Sequence, residues 1–314
     1  MLNIRLTQFS IIPAIVLTNF MLIDTVKVTD DTSDTAPAVL EKAEYTPISV
    51  PLPASDQSVS KVIIFPIVKN TTFQTGEKFT YKVRYGFIRA GTAVMEVVTE
   101  TTINNRISYH IQTRAKSASG FDFIYKVEDV VDSYMDKDGL FSWKFHKRLR
   151  EGGYKADLLV DYYPQDSLAD VSFTRYKGKM KVTTQQNYKV KTPPFVLDVL
   201  ASLYYVRTQD LEVGKSIYIT NHDNKKIYDL EVKVYQKEII ETEAGKFRCV
   251  LVEPVLKGEG IFKQKGRLKI WLTDDRFKIP VQMTSEIAVG HITSELEKIE
   301  GIKGNIPARI TSDE

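Results

Sequence analysis

The sequence predicts a mainly β protein: an antiparallel meander forming an open barrel or curved sandwich, with one amphipathic helix at about 193–209 packed on it. Three observations predict it. Successive segments alternate apolar and polar side chains with a period of two. Turn-forming residues separate these segments at short intervals, and a single stretch switches to helical spacing. The 16 Tyr and 15 Phe, with many Val, Ile and Thr, favour strands.

Taken in order, Met1–Thr7 carries one basic side chain, Arg5, and Phe9–Ile23 is almost wholly apolar. That is the pattern of a secretory signal, or of a membrane anchor if it stays uncleaved, and it is expected to occupy 1–24. The run is shorter than the roughly 20 residues that span a bilayer as a helix. Residues 25–75 are rich in Asp, Thr, Ser and Pro and are expected to form an extended or disordered linker. Within it Val62–Val68 is apolar but interrupted by Pro66, so it is an edge strand or a docked arm.

Residues 76–300 read as the β-rich domain. Phe79, Tyr81, Val83, Tyr85 and Phe87 alternate with polar residues or glycine. Ala90-Gly91 offers a turn, and Asn104-Asn105, Asp136–Gly139 and Gly152-Gly153 offer others. Thr192 is a plausible N-cap and Pro193 fits the first helical position. Phe195, Val196, Val199, Leu200, Leu203 and Tyr204 then share one helical face, with Asp198, Ser202 and Gln209 away from it. Strands resume after Gly214, giving two β-rich halves, 76–190 and 211–300, around one helix. The charged run from Glu295 suggests that 301–314 is a flexible tail.

The net charge of +3 does not call for nucleic acid. The sequence carries no phosphate loop, dinucleotide fingerprint, nucleophile elbow or His-Glu-x-x-His run, so no catalytic residue, cofactor or metal ligand is assigned and the protein is read as a non-enzyme. His110, His146, His222 and His291 are dispersed, and Cys249 reads as a small buried apolar side chain. The stretch Trp143–Arg150 alternates so that Lys144, Arg148 and Arg150 share a face. With Arg175, Lys177, Lys179 and Lys181 it is a candidate cationic patch for acidic lipid head groups. Phe79, Tyr81, Tyr85, Phe195, Val199, Leu203 and Trp271 are candidate lining residues of an apolar ligand cavity.

Phe79–Gly86 with Ala90-Gly91, Tyr125–Leu140, Asp198–Arg207, Thr242–Phe247, and Ile270–Asp275 with Ile279-Pro280-Val281 together resemble the domain-of-unknown-function family 3108. The resemblance covers about 76–300. It implies export in Gram-negative bacteria, a periplasmic or outer-membrane-associated setting and a mostly β fold, and it brings no known activity. At the level of fold it is also similar to the open β-barrels of lipoprotein carriers. The expectation is an exported envelope protein that binds or carries a hydrophobic or amphiphilic ligand such as a lipid. The alternatives are a structural module that binds an envelope protein partner, and a hydrolase with an unrecognised site. An inner-membrane anchor at the N-terminus is the alternative location.

Overall fold

The computed structural model describes residues 63–256, 267–287 and 290–311. The expected signal or anchor and the first part of the expected linker, Val62 included, lie outside the described residues.

The strands are β1 (Lys78–Tyr85), β2 (Ile88–Ile103), β3 (Arg106–Ser117), β4 (Glu128–Asp136), β5 (Ser142–Glu151), β6 (Tyr154–Tyr163), β7 (Leu168–Lys177) and β8 (Lys181–Lys191). After helix α2 (Val199–Arg207) come β9 (Ser216–Asp223), β10 (Lys226–Thr242), β11 (Gly245–Leu256), β12 (Leu268–Thr273), β13 (Pro280–Glu286), β14 (His291–Glu300) and the short β15 (Arg309–Ile310). One further helical turn, α1 (Asp122–Tyr125), links β3 to β4.

The strands form a single antiparallel sheet in the order β8-β7-β6-β5-β4-β3-β2-β1-β14-β13-β12-β11-β10-β9. Each half is a meander, and pairing of β1 with β14 joins the two into one surface. β8 and β9 are its open edges. Bulges at Val97/Thr99, Tyr134/Met135 and Val234/Lys237 add local twist, which helps so long a sheet curl. Side chains from both halves and from α2 fuse into one buried core.

This pairing sorts the turns. Turns that follow odd-numbered strands fall on one rim and turns that follow even-numbered strands on the other. The second rim is covered. The arm before β1, the C-terminal end of α2 and the segment after β14 all lie there.

Several expectations change. Ala90-Gly91 is not a turn. Both residues lie inside β2, and the chain reverses at Gly86-Phe87 instead. Gly91 is needed because a Cβ there would lie 2.3 Å from the Lys116 carbonyl oxygen on β3. The helix is shorter than 193–209, and its cap is Asp198 rather than Thr192. Pro193 and Pro194 hold the residues before them out of the α region, and Phe195 takes a positive φ of 62°.

The segment 63–69 is a docked arm rather than a strand; the Val68 amide donates to the Asp138 carbonyl at 2.7 Å. Phe73, in the expected linker, is buried. Through residue 311 the expected flexible tail is docked too. Ile306 and Ala308 are buried, and β15 pairs with β11. Charge from Glu295 onward masked this short apolar finish.

Candidate ligand site

Helix α2 crosses the interior on the way from one sheet edge to the other. Asp198 caps it, with Oδ1 accepting the amides of Leu200 and Ala201 at 2.9 Å. Just before the helix, the Leu197 amide and carbonyl bond to Thr220 and His222, which docks the helix start on edge strand β9. Val199, Leu203 and Val206 then share one helical face.

That face does not meet the sheet everywhere. Between it and β9–β13 lies an apolar cleft. Its sheet wall is Ile219, Leu230, Val232, Val252, Pro254, Leu268, Ile270 and Met283. The polar members are Ser202 and Asn221, and they satisfy each other: Asn221 Nδ2 donates to Ser202 Oγ at 2.9 Å, and Ser202 Oγ donates to the Asp198 carbonyl at 2.8 Å. Asp198 and Ser202 were expected on the polar side of the helix, yet both are buried. Among the described residues no charged side chain lines the cleft, so an occupant would meet almost only hydrocarbon from them.

Of the seven lining candidates, Val199 and Leu203 line this cleft. Tyr85 borders a separate hollow beside α1. Phe79 packs on the Arg207 guanidinium and Tyr81 donates to the Pro280 carbonyl at 2.9 Å, both toward the second rim. Phe195 joins an aromatic cluster with Phe65 and Phe141 under the docked arm. Trp271 is excluded by parity. Its neighbour Ile270 faces the cleft, so Trp271 lies on the other side of β12, where its Nε1 donates to Glu238 at 2.7 Å.

The candidate cationic patch is largely neutralised. Lys144, Arg148 and Arg150 do share the outer face, but Asp161, Asp132 and Asp157 on the flanking strands pair with them at 3.1, 2.7 and 2.8 Å. Burial would raise the Asp132 pKa, but hydrogen bonds from His110, Gln112 and Arg148 hold it at about 2. Arg175 stacks over the Tyr154 ring instead. The stripe is therefore an ion-pair ladder, and its partners are invisible when one strand is read alone.

Cys249 is fully buried, and burial first, then nearby carboxylates, push its thiol up to about 12. Among the described residues no cluster of three His, Cys, Asp or Glu could hold a metal ion. His222 is buried, with Nε2 on the Asn224 carbonyl at 3.0 Å and Nδ1 on the Tyr162 hydroxyl at 3.1 Å. That network suits a neutral imidazole, donating through Nε2 and accepting at Nδ1.

Burial lowers the His222 pKa to about 4, against about 6.5 in the unfolded chain. The unfolded state therefore takes up a proton first as pH falls. The stability from neutral His222 is present above pH 6.5 and lost as pH drops toward 4, by about 3 kcal/mol. Urea unfolding across that range should show the loss in the wild type and a flatter profile in His222→Gln. Equal slopes would remove His222 as the cause.

Fold and site together define an open antiparallel β-barrel with an internal helix and an apolar cleft beside it. The chain belongs to the family described as "Protein of unknown function (DUF3108)", whose sequence model matches residues 80–297. No curated protein matches it. Among solved structures, a beta-barrel-like protein of domain of unknown function DUF1849 from Brucella abortus is similar over 73% of this chain and 99% of its own, with 12% identity and a TM-score of 0.45. A protein with a YmcC-like fold from Bacteroides fragilis is similar over 76% and 98%, with 14% identity and a TM-score of 0.32. No helix among the described residues is long and apolar enough to cross a membrane.

Proposed function

We propose that this is an exported, non-catalytic envelope protein that holds the apolar part of a hydrophobic or amphiphilic ligand in the cleft beside α2. One observation carries the reading: a cleft between α2 and the sheet bounded by Val, Leu, Ile and Met side chains, with its polar pair already satisfied. A cleft whose described lining carries no charge favours a hydrocarbon tail and leaves any charged head group outside, because an unpaired buried charge is costly. Export is supported by the weakly basic start and apolar run of residues 1–23.

The test is binding of the apolar fluorophore N-phenyl-1-naphthylamine to delipidated full-length protein, alongside native mass spectrometry of gently purified material. Saturable binding and a bound lipid mass are expected. Val232→Phe fills the cleft and should weaken probe binding about tenfold, a difference of about 1.4 kcal/mol, at a stability cost of about 1–3 kcal/mol. A bare native mass with no saturable probe binding would overturn the reading.

A further inference from the structure

We propose that the first rim of the barrel, where the odd-numbered strands turn, docks on an anionic lipid bilayer surface. Two turns carry the case. At the β1–β2 turn, Phe87 is 98% exposed and Ile88 57%. Gly86 there has a φ of 55°, which lets the chain reverse in two residues and presents Phe87 at the tip. At the β7–β8 turn, exposed Met180 and Val182 are interleaved with exposed Lys177, Lys179 and Lys181. Those lysines form no ion pair within the described residues, unlike the neutralised ladder on β5.

The sheet order brings these turns to the same rim although they are far apart in sequence. The opposite rim is covered by the arm, the end of α2 and the C-terminal segment, with Ile306 and Ala308 buried.

The pattern selects the partner. A protein interface needs a contiguous patch burying roughly 1,000 Å² or more. Here the apolar side chains sit on separate protruding tips with lysines around them. A bilayer accepts such isolated aromatic and aliphatic groups at the head-group boundary, and lysines near the surface are drawn to anionic lipid. The proposal is independent of what fills the cleft.

The test uses the full chain, whose N-terminal apolar run could itself tether it to vesicles, so the readout must be local to the tip. Cys249 is fully buried, so an engineered Ile88→Cys can be labelled selectively with an environment-sensitive dye. Val213→Cys, half exposed just before β9 and toward the second rim, is the control. Vesicles of phosphatidylcholine with phosphatidylglycerol should blue-shift and brighten the dye at 88 and not at 213. The combined change Lys177→Glu, Lys179→Glu and Lys181→Glu should weaken this at least about tenfold, since each lysine near a charged surface contributes about fivefold. Phe87→Ser should also reduce the signal. Both variants are checked for an unchanged thermal midpoint. Equal response at 88 and 213, no response at either, or an unaffected lysine variant would each overturn the proposal. So would a response at 88 that depends on protein concentration and not on vesicles, which would point to a second copy of this chain.

Discussion

Arg207→Ala is expected to destabilise the protein by about 3–5 kcal/mol, the usual cost of removing one partner from a buried ion pair. Arg207 and Glu77 are both fully buried. The guanidinium grips the carboxylate in two bonds of 2.6 and 2.9 Å. Two further N–H groups donate to the carbonyls of Lys278 and Phe277 at 3.1 and 3.0 Å. Phe73, Phe79 and Tyr204 surround it with ring centroids 5.6, 5.5 and 4.9 Å away. Arg207 therefore ties the end of α2 to the start of β1 and to the β12–β13 turn at once. Burial already raises the Glu77 pKa against the pull of Arg207, and the alanine variant leaves that carboxyl with no cation. The check is urea unfolding at constant pH, read as a shift in midpoint at unchanged slope. Arg207→Lys keeps the charge but not the two-pronged geometry, and should fall between the two. The pair Glu77→Leu with Arg207→Met should recover most of the loss, because well-packed apolar replacements often match a buried pair. A cost below about 1 kcal/mol for Arg207→Ala would show that the site relaxes around the missing side chain.

Most of this fold was legible from period-two alternation, because one buried face per strand leaves a direct trace in sequence. Asn104 and Asn105 have φ of 49° and 60°, the left-handed values that a two-residue hairpin turn demands. What failed was local chemistry judged without its neighbours. Gly91 looks like a turn residue, but it is small because β3 passes against it. Thr192 looks like a cap, yet the two prolines that follow keep the residues before them out of the α region and the chain turns at Pro194-Phe195, so the helix starts only after Asp198. The docked arm and the C-terminal segment are bound by partners far away in sequence, such as Asp138 and β11.

The cleft was half legible for the same reason. Val199 and Leu203 followed from helical spacing, while Trp271 missed by a single residue, since neighbours along a strand point to opposite faces. Ile270, Leu230 and Val232 were readable as buried strand residues. Which of them would face free space rather than another side chain depends on how far α2 stands from the sheet, and periodicity carries no such distance. The cationic stripe failed at the next level up. Its alternation was read correctly, but neutralisation depends on which strands flank β5, and register fixes that.

The distance of α2 from the sheet is set at its two ends, and the second end yields the other large expected effect. Asp198→Ala should cost about 3 kcal/mol. Loss of the cap accounts for about 1 kcal/mol. The rest comes from the hydroxyls of Ser133 on β4 and Ser142 on β5, which donate to Asp198 Oδ2 at 2.7 and 2.6 Å and would lose their buried acceptor. Burial raises the Asp198 pKa against those hydrogen bonds. Asp198→Asn relieves the desolvated charge, keeps a carbonyl oxygen for the cap, and leaves hydroxyls that can rotate to meet the new amide. It should therefore cost about 1 kcal/mol, well under the alanine change. With Asp198 fixed to β4 and β5 and Arg207 fixed to Glu77 at the start of β1, the two anchors set how α2 stands over the cleft lined by β9–β13. On this argument Asp198→Ala and Arg207→Ala should both weaken N-phenyl-1-naphthylamine binding at temperatures where the variants remain folded. Undiminished binding in both would mean that the cleft does not depend on how the helix is anchored.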